Sequence, residues 1–258
     1  MPSVLKKINN RVAVITLNRP EKFNAFNREM AFLLQLTLDE CAADANVRAI
    51  YMTGAGKAFC AGQDLTELSG ENAIGIDEIL SEHYNPIVTR IRNLRKPVIA
   101  AVNGIAAGAG ANIALCCDVV IAIDSASFIQ AFSKIGLIPD SGGTYFLPRL
   151  VGFQKASALM MLGDTISATE AERMGMLYKV FQAGDFTNES LKIAETLGAM
   201  PTQALALIKQ ALNYSVNASF EDQLKKEDEL QCKAAATSDY EEGVKAFLEK
   251  RSAIFTGK

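Results

Sequence analysis

A single histidine, His83, in 258 residues rules out much chemistry at the outset. A metal centre built from the usual nitrogen and sulfur ligands needs a His/Cys cluster, and the chain offers none, so no metal is expected. A Ser-His-Asp triad would have to use His83, and no Gly-x-Ser-x-Gly elbow accompanies it, which makes a surface or packing role the simpler reading. The five cysteines, Cys41, Cys60, Cys116, Cys117 and Cys232, include no CxxC and are too few for a disulfide scaffold at this length. Reduced thiols and a cytoplasmic setting are expected. Basic residues are not in excess: 26 Lys and Arg against 29 Asp and Glu leave a net charge of -3, and no nucleic-acid partner is called for. The opening MPSVLKKINNRVAV lacks an apolar core of signal-peptide length, so export is not expected. The longest apolar region, 97–124, is interrupted by Asn103, Asn112, Asp118 and glycines, so it reads as a buried strand and helix and no membrane association is expected. Internal repeats and low-complexity segments are missing as well.

What remains is 49% hydrophobic and long enough to bury one large core. The chain is organised around KPVIAAVNGIAAGAGANIALCCD, residues 96–118. A β-leaning run, Val98–Val102, stops at Asn103-Gly104, passes through small residues, and continues as a helix to Cys117. Small residues at a helix start let a substrate approach the main chain. The N–H groups of 108–110 would there face an anion at the positive end of the helix, as half of an oxyanion hole. The same residues would equally let a buried helix pack closely, and the segment alone leaves both uses open.

Around it, Val12–Leu17 alternates as a strand, Asn27 caps a helix over Arg28–Ala43, and 47–52 reads as a second strand. The loop TGAGKAFCAGQD, 53–64, suggests a phosphate loop, but Tyr51 and Ala58 stand where Walker spacing demands Gly and Ser or Thr. It reads better as another strand end feeding small residues, with N–H groups at Gln63 and Asp64 turned toward the first set. Residues 69–77 look mobile, and a helix follows over 78–94. Short strands are expected at Val119–Ile123 and 127–130. IGLIPDSGGT, 135–144, then places Asp140 just ahead of a helix over 144–150, where it is either an N-cap or a functional carboxylate. From Gln154 the pattern is helical, with one strand near 177–181 and charge concentrated in the last two helices.

Five segments together resemble the crotonase (enoyl-CoA hydratase/isomerase) superfamily: LNRPEKFNAFN at 17–27, GKAFCAGQDL at 56–65, the central stretch, FSKIGLIPDSGGT at 132–144, and SDYEEGVKAFLEKRSAIFTGK at 238–258. AFSKIGLIPD, Tyr84-Asn85-Pro86, LIKQA and the KRSAIFTGK tail are most similar to the 1,2-epoxyphenylacetyl-CoA isomerases of aerobic phenylacetate breakdown. The resemblance implies an α/β fold, the crotonase spiral of repeated β-β-α turns in two roughly perpendicular sheets. Residues 1–200 would form the spiral core and 201–258 a helical region used in oligomerisation, as a homotrimer or dimer of trimers. It implies an acyl-CoA thioester whose carbonyl lies between the N–H groups of Gln63 and Ala109, with Asp64 and Gly108 beside them. Ala61 would border the adenine of coenzyme A, Lys22, Phe23 and Ala25 would line its path, and Lys57 is a candidate phosphate contact. No separate cofactor is implied, coenzyme A being part of the substrate.

Family hydratases activate water with two glutamates, and the matching positions here hold Asn112 and Phe132, which makes hydration of the usual type doubtful. Asp140 matches the acid/base of family isomerases. The expected activity is therefore an acyl-CoA isomerase shifting a double bond through an enolate, on the aryl epoxide of phenylacetyl-CoA. A straight-chain Δ3,Δ2-enoyl-CoA isomerase or hydratase, and a non-catalytic CoA-binding or RNA-associated protein, are the alternatives. Asn112 would hydrogen-bond the acyl group, and Tyr84 and Phe132 would wall an aromatic pocket; plain packing is the competing reading for all three.

Overall fold

In the computed structural model, which describes residues 1–68 and 73–258, each turn of the chain sends one strand into each of two sheets. The larger sheet runs β1-β2-β3-β5-β7-β10 and the smaller β4-β6-β8-β9. Strands β1 (Val4–Asn9) and β2 (Val12–Leu17) form an antiparallel hairpin, after which α1 (Arg28–Ala43) carries the chain to β3 (Ala49–Gly54), parallel to β2. The pairs β3 and β4 (Ala58–Cys60), β5 (Val98–Val102) and β6 (Ile105–Ala107), and β7 (Val119–Ile123) and β8 (Ser127–Ile129) are successive steps of one spiral. After β8 come α5 (Gly143–Val151), α6 (Phe153–Leu162), β9 (Thr165–Ser167), α7 (Ala168–Arg173) and β10 (Lys179–Phe181). Four helices close the chain: α8 (Phe186–Ala199), α9 (Thr202–Ser215), α10 (Phe220–Ala235) and α11 (Ser238–Glu249). This is the α/β crotonase spiral that the resemblance implied.

Composition explains the layers. Every side chain of β5 is buried, as expected of a strand covered on both faces. Met30, Leu34 and Leu38 of α1 lie on one stripe and are fully buried, each contributing about 1.5–3 kcal/mol of apolar burial. Asn27 caps α1 as its position suggests, its side chain accepting from the Met30 amide at 3.0 Å. The opposite face of the sheet packs Val12, Tyr51, Ile99 and Ile121 under Phe186 and Ala194 of α8.

Several boundaries differ from those expected. The second strand covers Ala49–Gly54 rather than 47–52, and the last one begins at Lys179. Strand β1 leaves all but Val4 exposed, so its edge position gives no alternating signal. Strands β4, β6 and β9 are three residues each, too short for a period to show. The expected helix over 78–94 is three pieces: α2 (Ile76–Glu78), a π turn (Ile79–Tyr84) and α3 (Asn85–Asn93). The first part of the expected mobile stretch, 69–72, lies outside the described residues. His83 is buried rather than superficial, its ring edge-on to Phe32 at 5.8 Å, and neither ring nitrogen has a hydrogen-bond partner among the described residues.

Candidate active site

The two small-residue stretches meet. Gly62 has φ +91°, a conformation glycine adopts freely, and a Cβ there would stand 3.0 Å from the Ala107 carbonyl oxygen and 3.5 Å from the Ala109 nitrogen. The end of β4 is thus pressed against the start of α4 (Ala109–Leu115). The small residues of the two stretches fall into two groups. Gly110 serves packing, since a Cβ on it would lie 2.4 Å from the Cys60 carbonyl oxygen. Gly62 and Gly108 instead border a cavity of about 410 Å³.

The hydrogen bonds of the fold decide which amides remain for a ligand. Asp64 N–H donates to the Phe26 carbonyl at 2.8 Å, and Gly108 N–H to that of Ile129 at 2.9 Å. Those two were expected to face the substrate and are taken up by the scaffold instead. Among the described residues, the Gln63 and Ala109 amides donate to no backbone carbonyl, and both residues line the cavity. Two such donors, one of them in the first turn of a helix, suit a developing oxyanion.

Asp140 lines the same cavity, on the loop between a 3₁₀ turn (Ala131–Ile135) and α5. It is not the helix cap: Gly142 takes that place, without a side-chain cap, and Ser141 and Gly142, at φ +52° and +74°, turn the chain sharply. The Asp140 carbonyl accepts from Gly143 N–H at 2.8 Å and from Asn112 Nδ2 at 2.9 Å, while its Oδ1 accepts from Ser141 Oγ at 2.8 Å. Burial pushes its carboxyl up from 3.8 to about 6, with the Ser141 hydroxyl and its own amide opposing. It is the one carboxylate among the described residues lining the cavity. The remaining wall is largely apolar, from Leu65, Leu68, Ile76, Ile79, Leu80, Phe132, Ile135, Leu137 and Ile138.

Other expected site residues are distributed unevenly. Ala61, Tyr84, Gly108 and Phe132 line the cavity. Asp64 does not: its carboxylate is held by Arg19 at 2.9 Å and by the Thr66 hydroxyl at 2.7 Å, and although burial alone would raise its pKa, those partners hold it low. It clamps the LNRPEKFNAFN loop, whose Asn24 side chain also donates to the Ala55 and Ala58 carbonyls. Asn112 is fully buried and outside the wall; its Nδ2 is used by Asp140 and its Oδ1 accepts from Gln130 at 2.8 Å. It therefore supports the Asp140 loop instead of meeting an acyl group. Lys22, Phe23 and Ala25 lie beyond the cavity wall, joined to its edge where Ala61 N–H donates to the Phe23 carbonyl at 3.0 Å. Lys57 is exposed. Ser141 and the leucine-isoleucine wall were not singled out in the sequence, where scattered apolar residues in loops carry no period.

A family model described as enoyl-CoA hydratase/isomerase matches residues 7–258. The chain belongs to the enoyl-CoA hydratase/isomerase family. Members similar to it include the 1,2-epoxyphenylacetyl-CoA isomerase of Escherichia coli K12, 44% identical over 261 residues and covering 100% of both chains. The 2,3-dehydroadipyl-CoA hydratase of the same organism is 34% identical over 258 residues, again covering 100% of each. Among solved structures, an enoyl-CoA hydratase from Bacillus anthracis superposes with a TM-score of 0.92 at 33% identity, over 99% of this chain and 100% of that one. The protein is thus an enzyme of the hydratase/isomerase family. Among the described residues, no helix is long and apolar enough to cross a membrane, and no three His, Cys, Asp or Glu side chains gather as a metal site.

Proposed function

We propose that this enzyme is an acyl-CoA isomerase that moves a double bond through an enolate, acting in the cytoplasm on 2-(1,2-epoxy-1,2-dihydrophenyl)acetyl-CoA to form oxepin-CoA. The observation that carries it is Asp140: one carboxylate on the cavity wall, lifted to about 6, in the same cavity that Gln63 and Ala109 line. A base titrating near 6 is ionised at neutral pH yet basic enough to remove a proton whose acidity the amides enhance. Asp140 takes the α-proton, electrons move onto the thioester oxygen, and the two N–H groups stabilise that oxyanion more than the carbonyl it came from. The same carboxyl then returns the proton at the γ-carbon, leaving the double bond conjugated with the thioester. In the aryl epoxide, this dienolate accompanies expansion of the ring to the oxepin.

Support for the aromatic substrate comes from the Tyr84 and Phe132 rings in the wall and from the 44% identity to the Escherichia coli isomerase. Ala61 would border the adenine, with Lys22, Phe23, Ala25 and Lys57 along the path of coenzyme A, which enters as part of the substrate. The exposed Phe220, Phe247, Leu248 and Ile254 of the C-terminal region favour burial against other copies of the chain, and the family resemblance makes that assembly a homotrimer or a dimer of trimers. The leucine-isoleucine wall also favours a second reading, a straight-chain 3-enoyl-CoA as substrate.

Turnover of a 3-enoyl-CoA and of the ring epoxide in D2O, with wild type beside Asp140→Asn, tests this. The expected result is isomer carrying some deuterium at the α- or γ-carbon, lost in the variant, with the faster substrate naming the acyl class. Equal hydration of a 2-enoyl-CoA by both proteins would overturn the mechanism.

A further inference from the structure

The π turn, Ile79–Tyr84, is marked by the Asn85 amide donating to the Leu80 carbonyl five residues back. Ile79, Leu80 and Tyr84 all line the cavity. In an uninterrupted α-helix, residues five apart point roughly 140° away from each other, so Ile79 and Tyr84 would not share a wall. A π turn repeats at i→i+5 and brings them to one face; such turns are frequent at functional sites.

The consequence is where the Tyr84 hydroxyl arrives. It donates to Gln63 Oε1 at 2.7 Å, and Gln63 Nε2 in turn donates to Glu67 Oε2 at 2.9 Å. Glu67 Oε1 accepts from the Arg28 amide at the start of α1, at 2.9 Å. The tyrosine ring is held edge-on to Phe26 at 5.9 Å, and Phe26 is the residue that pairs with Gln63 in an isolated parallel bridge. Both ends of the Gln63 carboxamide are therefore fixed, one from the cavity wall and one from α1.

We propose that Tyr84 is a positioning residue for the oxyanion site: its hydroxyl, acting through the Gln63 carboxamide, fixes the direction in which the Gln63 N–H meets the thioester oxygen. This rests on the reading above that the amide polarises a thioester carbonyl, and not on which acyl-CoA is turned over. Small errors in the aim of such a donor are costly, because its strength depends on distance and alignment.

The test binds a saturated acyl-CoA, labelled with 13C at the thioester carbonyl, to the full-length wild type, Tyr84→Phe, Gln63→Leu and the double variant. The carbonyl stretch is read by difference infrared spectroscopy, beside the Kd and, with a 3-enoyl-CoA, kcat. Wild type is expected to lower the stretch relative to free thioester. Tyr84→Phe should lose most of that lowering and about 10–100-fold in kcat, with Kd changed less than about threefold. Gln63→Leu should do the same, and the double variant no more than either. A full wild-type shift in Tyr84→Phe, or a loss confined to Kd, would overturn the proposal and leave the tyrosine a wall residue. A wild type that shifts the carbonyl but isomerises neither a 3-enoyl-CoA nor the ring epoxide would sink the isomerase reading, while the relaxed shift in Tyr84→Phe would still support this one.

Discussion

Asp140→Asn should cut turnover by orders of magnitude and, at alkaline pH, make the protein more stable. The carboxyl is raised from 3.8 to about 6 chiefly by burial, so the fold disfavours its ionised form. A folded-state pKa above the unfolded one means that the native state binds more protons; stability is fully present below 3.8 and is lost as pH rises through about 6. The loss on the alkaline side corresponds to about 3 kcal/mol. Asparagine has nearly the same shape and can still accept from Ser141 Oγ, but carries no charge. Its advantage should therefore be about 3 kcal/mol at pH 8, about half that at pH 5, and nearly gone by pH 3.5. Thermal unfolding of both proteins across that range reads the difference as a Tm gap of about 6–10 °C at pH 8. Activity runs the other way: wild-type kcat/KM should fall tenfold per unit below about pH 6, and Asp140→Asn should lose about 10²–10⁴-fold or more. A variant no more stable than wild type at pH 8 would refute burial as the source of the raised pKa, and retained turnover would refute the base.

Three further expectations rest on single contacts. Asn112→Leu leaves the Asp140 carbonyl without its Nδ2 donor and Gln130 Nε2 without its acceptor, so denaturant titration should show a loss of about 1–3 kcal/mol, with kcat falling as the loop relaxes. Gly62→Ala forces a Cβ into a left-handed residue 3.0 Å from the Ala107 carbonyl oxygen, and the displaced Gln63 and Ala109 donors should cost about 100-fold in kcat, read by steady-state kinetics. Burial lowers the pKa of His83, so its contribution to stability is intact above the unfolded value near 6.5 and is lost as pH falls below it. His83→Leu removes two buried nitrogens that have no partner among the described residues, and its Tm advantage over wild type should grow from pH 7.5 to 5.5.

The legible parts of this sequence were those where composition alone carries the constraint. Small residues at Gly62 and at Gly108–Gly110 announce close backbone approach whatever surrounds them, and the cavity lies where they meet. Asp140 was ambiguous for a physical reason: a carboxylate before a helix has the composition of a cap, and only the turn at Ser141 and Gly142 takes it away from the helix end. Asp64 and Asn112 were misplaced because a polar residue beside a site and one inside it look alike until their partners are known; Arg19 and Gln130 lie 45 and 18 residues away in sequence. The π turn was hidden, since the apolar spacing of 76–93 fits a plain helix and one inserted residue leaves no compositional mark. Strand β1, with one buried side chain in six, shows how an edge erases the pattern that reveals central strands.

The two positions that the family resemblance pairs with hydratase glutamates have different structural uses here, and this bears on how hydration could be introduced. Asn112 donates to the Asp140 carbonyl, which a glutamate cannot do once ionised, and a carboxylate buried there would instead repel that oxygen. Phe132 covers Gly108, its ring lying 3.7 Å from where a Cβ would sit, and closes part of the apolar wall. Restoring both glutamates, Asn112→Glu with Phe132→Glu, should therefore remove the support of Asp140 and wet the wall before it creates a site that activates water. The double variant is expected to lose isomerisation and to gain less than about a hundredth of the hydration expected from a working pair of carboxylates, measured as loss of 2-enoyl-CoA absorbance. Efficient hydration by that variant would show that the Asp140 loop stands without Asn112, and that those two side chains alone decide whether water is activated.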